Sequence, residues 1–122
     1  MSVKENAVVT VSFKNGELSL CDNEGSQFNP KDPESFTTKV RPNGKIGWVP
    51  GEGVSEIKYI RVDSGYEVFK RMPREKDGVW FARIDKRKSG DTKYTIVYKL
   101  DGEDKFFTLD PQLKVTPPPP GP

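Results

Sequence analysis

The chain has 122 residues, 20 basic and 18 acidic side chains, 33% apolar residues, one cysteine and no histidine. Without an imidazole it lacks the commonest general base, the usual partner of a nucleophilic Ser or Cys, and the usual ligand of zinc and its neighbours. One cysteine forms no internal disulfide, and nearly balanced charge describes a mixed surface rather than a polyelectrolyte.

The first apolar pattern alternates through Val9, Val11 and Phe13 and resumes at Leu18 and Leu20. Between the two halves stands Asn15-Gly16, a pair that tolerates the positive φ of a type I′ turn, so a β-hairpin is predicted. Cys21, at the end of the second run, is expected to be a small buried apolar residue. Residues 22–35 form a loop with Pro30 and Pro33. Its Asp22-Asn23-Glu24-Gly25 start offers oxygen ligands but fails the spacing of an EF-hand. Phe36, Thr38 and Val40 alternate next, and Arg41-Pro42-Asn43-Gly44 reads as a turn. Ile46 and Trp48 then share a face, with Gly47 opposite. Pro50-Gly51-Glu52-Gly53 breaks the chain before a strand over residues 57–62.

Val68-Phe69 is read as a short strand and residues 72–78 as a polar connection. Over residues 79–84, Trp80, Ala82 and Ile84 share one face, and Val79, Phe81 and Arg83 the other. Residues 86–91 read as a turn. Tyr94, Ile96, Tyr98 and Leu100 alternate, and Asp101-Gly102 closes a hairpin onto residues 106–109. A two-residue loop there would pair Ile96 with Phe107 and Tyr94 with Leu109. Leu113 and Val115 suggest a short edge strand. Proline cannot donate to a ladder, so the chain must leave the sheet at Pro117.

No segment holds a helical period, and strands recur about every ten residues, the pattern of sandwiches and barrels. The expected fold is an all-β, immunoglobulin-like antiparallel β-sandwich of seven to nine short strands. It occupies residues 1–116 as one domain, and a proline-rich C-terminal tail follows over 117–122. That tail reads as a stiff terminus or linker, with docking to a proline-binding groove as the alternative. Trp48 on a mid-chain strand and Tyr94 two residues before an inward position on a late strand resemble immunoglobulin-like sandwiches. That resemblance implies a central Trp and a Tyr that ties down a corner.

A second resemblance rests on the order Val68-Phe69, Gly78-Val79-Trp80-Phe81-Ala82, Tyr94-Thr95-Ile96-Val97-Tyr98, Asp101-Gly102 and Asp110-Pro111-Gln112-Leu113. Over residues 36–116 this is similar to the bacterial DP-EP family of small β-sandwich proteins. Val115-Thr116-Pro117 stands where that family closes on Glu-Pro. The resemblance implies a fold and no chemistry.

Residues 70–93 carry nine basic side chains against four acidic ones, with Trp80 and Phe81 between the clusters. Lys70, Arg71, Arg74, Lys86, Arg87 and Lys88 are the candidate binding residues, since cations beside aromatics grip phosphates and bases. The phase of Trp80 makes it a core residue. The first functional expectation is a non-catalytic structural or protein-interaction module, binding a protein partner, without catalytic residues, cofactor or metal. The alternative is a polyanion or single-stranded nucleic-acid binder acting through residues 70–93. No apolar stretch is long enough for a signal peptide or membrane span, so a cytoplasmic protein without membrane contact is expected.

Overall fold

A computed structural model describes residues 6–116; the expected proline-rich tail, 117–122, lies outside the described residues. Ten strands form among them: β1 (Asn6–Lys14), β2 (Glu17–Asp22), β3 (Thr37–Val40), β4 (Lys45–Pro50), β5 (Val54–Ser64), β6 (Phe69–Lys76), β7 (Val79–Ile84), β8 (Gly90–Leu100), β9 (Phe106–Leu109) and β10 (Gln112–Val115). The first sheet runs β2-β1-β4-β7-β6; the second runs β3-β10-β8-β5, with β9 also paired to β8. The fold is an all-β sandwich. It exceeds the expected strand count, and it is mixed rather than antiparallel, because β1 runs parallel to β4 and β3 parallel to β10.

Period-2 alternation sends one side of each strand into the space between the sheets. From the first sheet come Val9, Val11, Ile46, Trp48, Trp80, Ala82 and Ile84; from the second come Val40, Tyr94, Ile96, Leu109 and Leu113. Trp48 is completely buried and meets Tyr94 edge-on, with ring centroids 5.3 Å apart. Trp80 donates its indole N–H to the Ile57 carbonyl across the sheets at 2.9 Å. The Tyr94 hydroxyl and the Trp48 indole nitrogen, both shielded from water, make no hydrogen bond to any backbone group. Tyr94 therefore fills the centre and does not tie down a corner. Cys21 is exposed, against expectation, because the same alternation that buries Leu20 turns Cys21 outward opposite Thr10.

The turns obey their sequences. Asn15-Gly16 and Asp77-Gly78 both place two successive residues at positive φ, the type I′ geometry that matches strand twist. Residues 72–78 are therefore mostly strand, paired to β7 through Asp77-Gly78. Pro73 is tolerated because β6 is a sheet edge and the register slips between Arg71 and Arg74. At the Asp101-Gly102 loop only Gly102 has positive φ, and Glu103 N–H closes the turn on the Leu100 carbonyl at 3.1 Å. That is type II geometry, so the loop is longer than two residues and Ile96 pairs with Leu109, not Phe107. The slip is by two residues, which leaves every side chain on its expected face.

β9 and β10 follow one another along the same edge of β8 in one continuous register, Ile96 with Leu109 and Lys93 with Gln112. Pro111 breaks the ladder between them because it has no N–H. Its carbonyl still accepts from Tyr94 at 3.2 Å. β10 is not an edge strand: β3 lies on its far side, with Thr37 beside Gln112 and Val40 beside Val115.

Candidate polyanion-binding face

The outward side of β4, β7 and β6 is where the basic region gathers. Sheet pairing sets Lys45 beside Arg83, and Arg83 beside Arg71, so three cations stand in one row across three strands. The next row holds Gly47, Phe81 and Arg74. Gly47 has no side chain, so the floor between the rows is low. The Arg74 guanidinium lies 5.3 Å from the centre of the Phe81 ring, a cation–π contact. Lys45, Lys70, Arg71, Arg74, Phe81 and Arg83, with the edge of Ala82, line a cleft of about 450 Å³.

No carboxylate lines this cleft, and none of its cations makes an ion pair among the described residues. Arg83 is held from one side only. One terminal nitrogen donates to the Asn43 side-chain oxygen at 3.2 Å, and Asn43 itself occupies the positive-φ position of the turn after Pro42. The Arg83 Nε is buried without a partner. Like charges directly opposite on a sheet repel, and an unmet buried donor costs free energy. An anion in the cleft would relieve the first.

A second cleft of about 220 Å³ adjoins the first and is lined by Lys70, Asp85, Lys86 and Arg87. Lys70 belongs to both. The Asp85 carboxylate is occupied locally, accepting from the Arg87 backbone N–H at 2.8 Å. Of the six residues singled out from sequence, the structure brings Lys70, Arg71 and Arg74 into the first cleft and Lys86 and Arg87 into the second. Lys88 lines neither; its described bond is from its backbone N–H to the Asp85 carbonyl, 3.4 Å. Lys45 and Arg83 were missed as site residues. Lys45 is 25 positions from Lys70 in the chain, and only the outward phase of the Trp48 strand could have signalled it. Trp80 is core, as its phase indicated, and Phe81 is the aromatic on the outer face.

Two other charged clusters are answered internally. On the outer side of the second sheet, Arg61 donates to Asp63 at 2.7 Å and to Thr95 at 3.1 Å, and Thr95 lies 2.6 Å from Asp63 and 2.7 Å from Asp110. The Asp22 loop is likewise self-bound: its carboxylate accepts from Glu24 and Ser26 N–H at 3.0 Å each and from the Thr38 hydroxyl at 2.6 Å. No group of acidic or Cys side chains suited to a metal ion occurs among the described residues. No helix among them is long and apolar enough to cross a membrane. No family model matches the chain, and no curated protein matches it.

Proposed function

We propose that this protein is a non-catalytic β-sandwich binding module that takes a polyanion on the outer face of its first sheet. One observation carries the reading: Lys45, Lys70, Arg71, Arg74 and Arg83 line a single cleft that no carboxylate enters. Five cations in reach of one ligand gain by releasing counterions and by charge-assisted hydrogen bonds, with Arg supplying planar forks for oxyanions. No Ser, Thr, Cys or carboxylate lines the cleft, which supports recognition rather than reaction as its chemistry.

The architecture proposed with this function is immunoglobulin-like. In its support, β4-β7-β6 facing β10-β8-β5 follows the order B-E-D facing G-F-C of that fold, with β1 and β2 added beyond β4. The DP-EP resemblance belongs to the same proposal, and its motifs fall on β6 to β10. The exposed, unpaired Cys21 supports a reducing compartment such as the cytoplasm. A protein partner is the second reading, favoured by the exposed aromatic rings of Tyr59 and Phe106 on strands of the second sheet.

The test is titration of the full chain with polyanions (oligothymidylate, a sulfated polysaccharide, polyglutamate) at low salt, repeated as salt rises. Binding should weaken linearly in log salt, and Lys45→Glu with Arg71→Glu should abolish it. Absence of binding to every polyanion at low salt, where attraction is least screened, overturns the proposal.

A further inference from the structure

We infer that the polyanion is a single strand of nucleic acid, and that it runs along a track from the first cleft through Lys70 into the second. The inference rests on the polyanion reading above and adds a ligand class and a path. Three observations carry it. The Lys45-Arg83-Arg71 row crosses neighbouring strands, which lie about 4.8 Å apart, so it presents evenly spaced cations to a chain of phosphates rather than one focused pocket. Lys70 lines both clefts, so the cationic surface continues from the sheet face to Lys86 and Arg87 in the turn after β7.

The third observation separates nucleic acid from other polyanions. The exposed Arg74 guanidinium is backed by the Phe81 ring at 5.3 Å. A guanidinium held over a ring offers a flat cationic platform, and unpaired bases stack on such planes. Sulfated sugars and acidic peptides have charge for the row and no flat ring for the platform. Base stacking also requires splayed, single-stranded bases, because a duplex hides their faces.

The test uses the full chain and labelled oligothymidylates of increasing length, with a DNA duplex, a sulfated polysaccharide and polyglutamate as comparisons. Affinity for the single strand should rise with length and level off once both clefts are filled. Lys86→Glu with Arg87→Glu should move that plateau to shorter strands and lower the salt slope by about 0.7 for each phosphate no longer neutralised. Arg74→Lys keeps the charge and removes the plane. It should weaken oligothymidylate binding about fivefold or more, the least a stacked base contributes, and weaken polyglutamate binding much less. The polyglutamate arm also reports that the variant is folded. Equal weakening for both ligands, a plateau unmoved by the Lys86 and Arg87 changes, or tighter binding of the duplex would overturn the inference while leaving polyanion binding intact. Failure of every polyanion to bind the wild-type chain would instead remove the reading beneath it.

Discussion

Trp48 shows what a single side chain does between these sheets. It is fully buried, it meets Tyr94 edge-on, and it stands where β4 lies between β1 and β7. Trp48→Ala opens a cavity at the middle of the core and should cost about 3–5 kcal/mol, read as a fall in unfolding free energy by chemical denaturation. Its partner is chemically silenced by the same burial, which drives the Tyr94 phenol far above its ordinary value, only partly offset by the Trp48 indole. Asp22 works at the rim. Burial alone would raise its carboxyl, but hydrogen bonds from Ser26, Thr38 and the Ser26 and Glu24 backbone outweigh it and hold the group below 3.8. A carboxyl lowered on folding adds stability above its unfolded value, and that stability fades as pH falls through the folded value. Wild type should therefore lose stability below about pH 5 more steeply than Asp22→Asn, as urea midpoints across pH would report. At neutral pH, Asp22→Ala should cost about 1–3 kcal/mol by stranding the Thr38 hydroxyl and two backbone donors.

At the scale of strands, β6 sets stability against binding. Arg71 faces Arg83, and Arg83 faces Lys45, with no acid to separate them. Arg71→Thr removes one repelling charge and inserts a good strand former at an exposed edge position. It should raise the unfolding free energy of the free protein slightly, by about a few tenths of a kcal/mol in denaturant titration, while weakening polyanion binding. A substitution that stabilises and disables together marks a surface kept for a ligand. Gly102 gives a separate measure of turn chemistry. Its φ of 79° suits glycine, and Gly102→Val should cost about 1–2 kcal/mol in denaturant unfolding. Nothing crowds the position, so that cost is conformational.

The same strands explain what could be read in advance. β7 alternates cleanly, and β8 is legible from Tyr94 to Leu100, although it starts at Gly90 within the expected turn and its outward Thr95 is buried as well. β6 is not, since Phe69 to Lys76 carries charges on both sides and a proline at a register slip; only Asp77-Gly78, a hairpin signal ahead of Val79, betrays it. The candidate site was half legible for a related reason. Lys70, Arg71 and Arg74 are close in sequence, whereas Lys45 and Arg83 join them through sheet pairing, which no local pattern encodes. Lys88 adjoins Lys86 and Arg87 in sequence but lines neither cleft.

Across the whole molecule, the two parallel pairings are the features least visible to a reading that looks for hairpins. β1 pairs with β4 although β2 and β3 lie between them in the chain, and β3 must find β10, placing Thr37 beside Gln112 and the Thr116 N–H on the Val40 carbonyl at 2.7 Å. Such distant pairings slow folding, so stopped-flow refolding should relax on the millisecond-to-second scale rather than in microseconds. On the ribosome the delay is longer. The strand beginning at Thr37 is made before its partner at Gln112 exists, and at typical elongation rates that gap lasts roughly 4–15 s. For that interval β3 has a vacant edge and Phe36, Thr38 and Val40, all fully buried in the finished domain, have no cover. The nascent chain is then at its most vulnerable to sticking to its neighbours on a polysome, and a premature stop before residue 112 would make that exposure permanent.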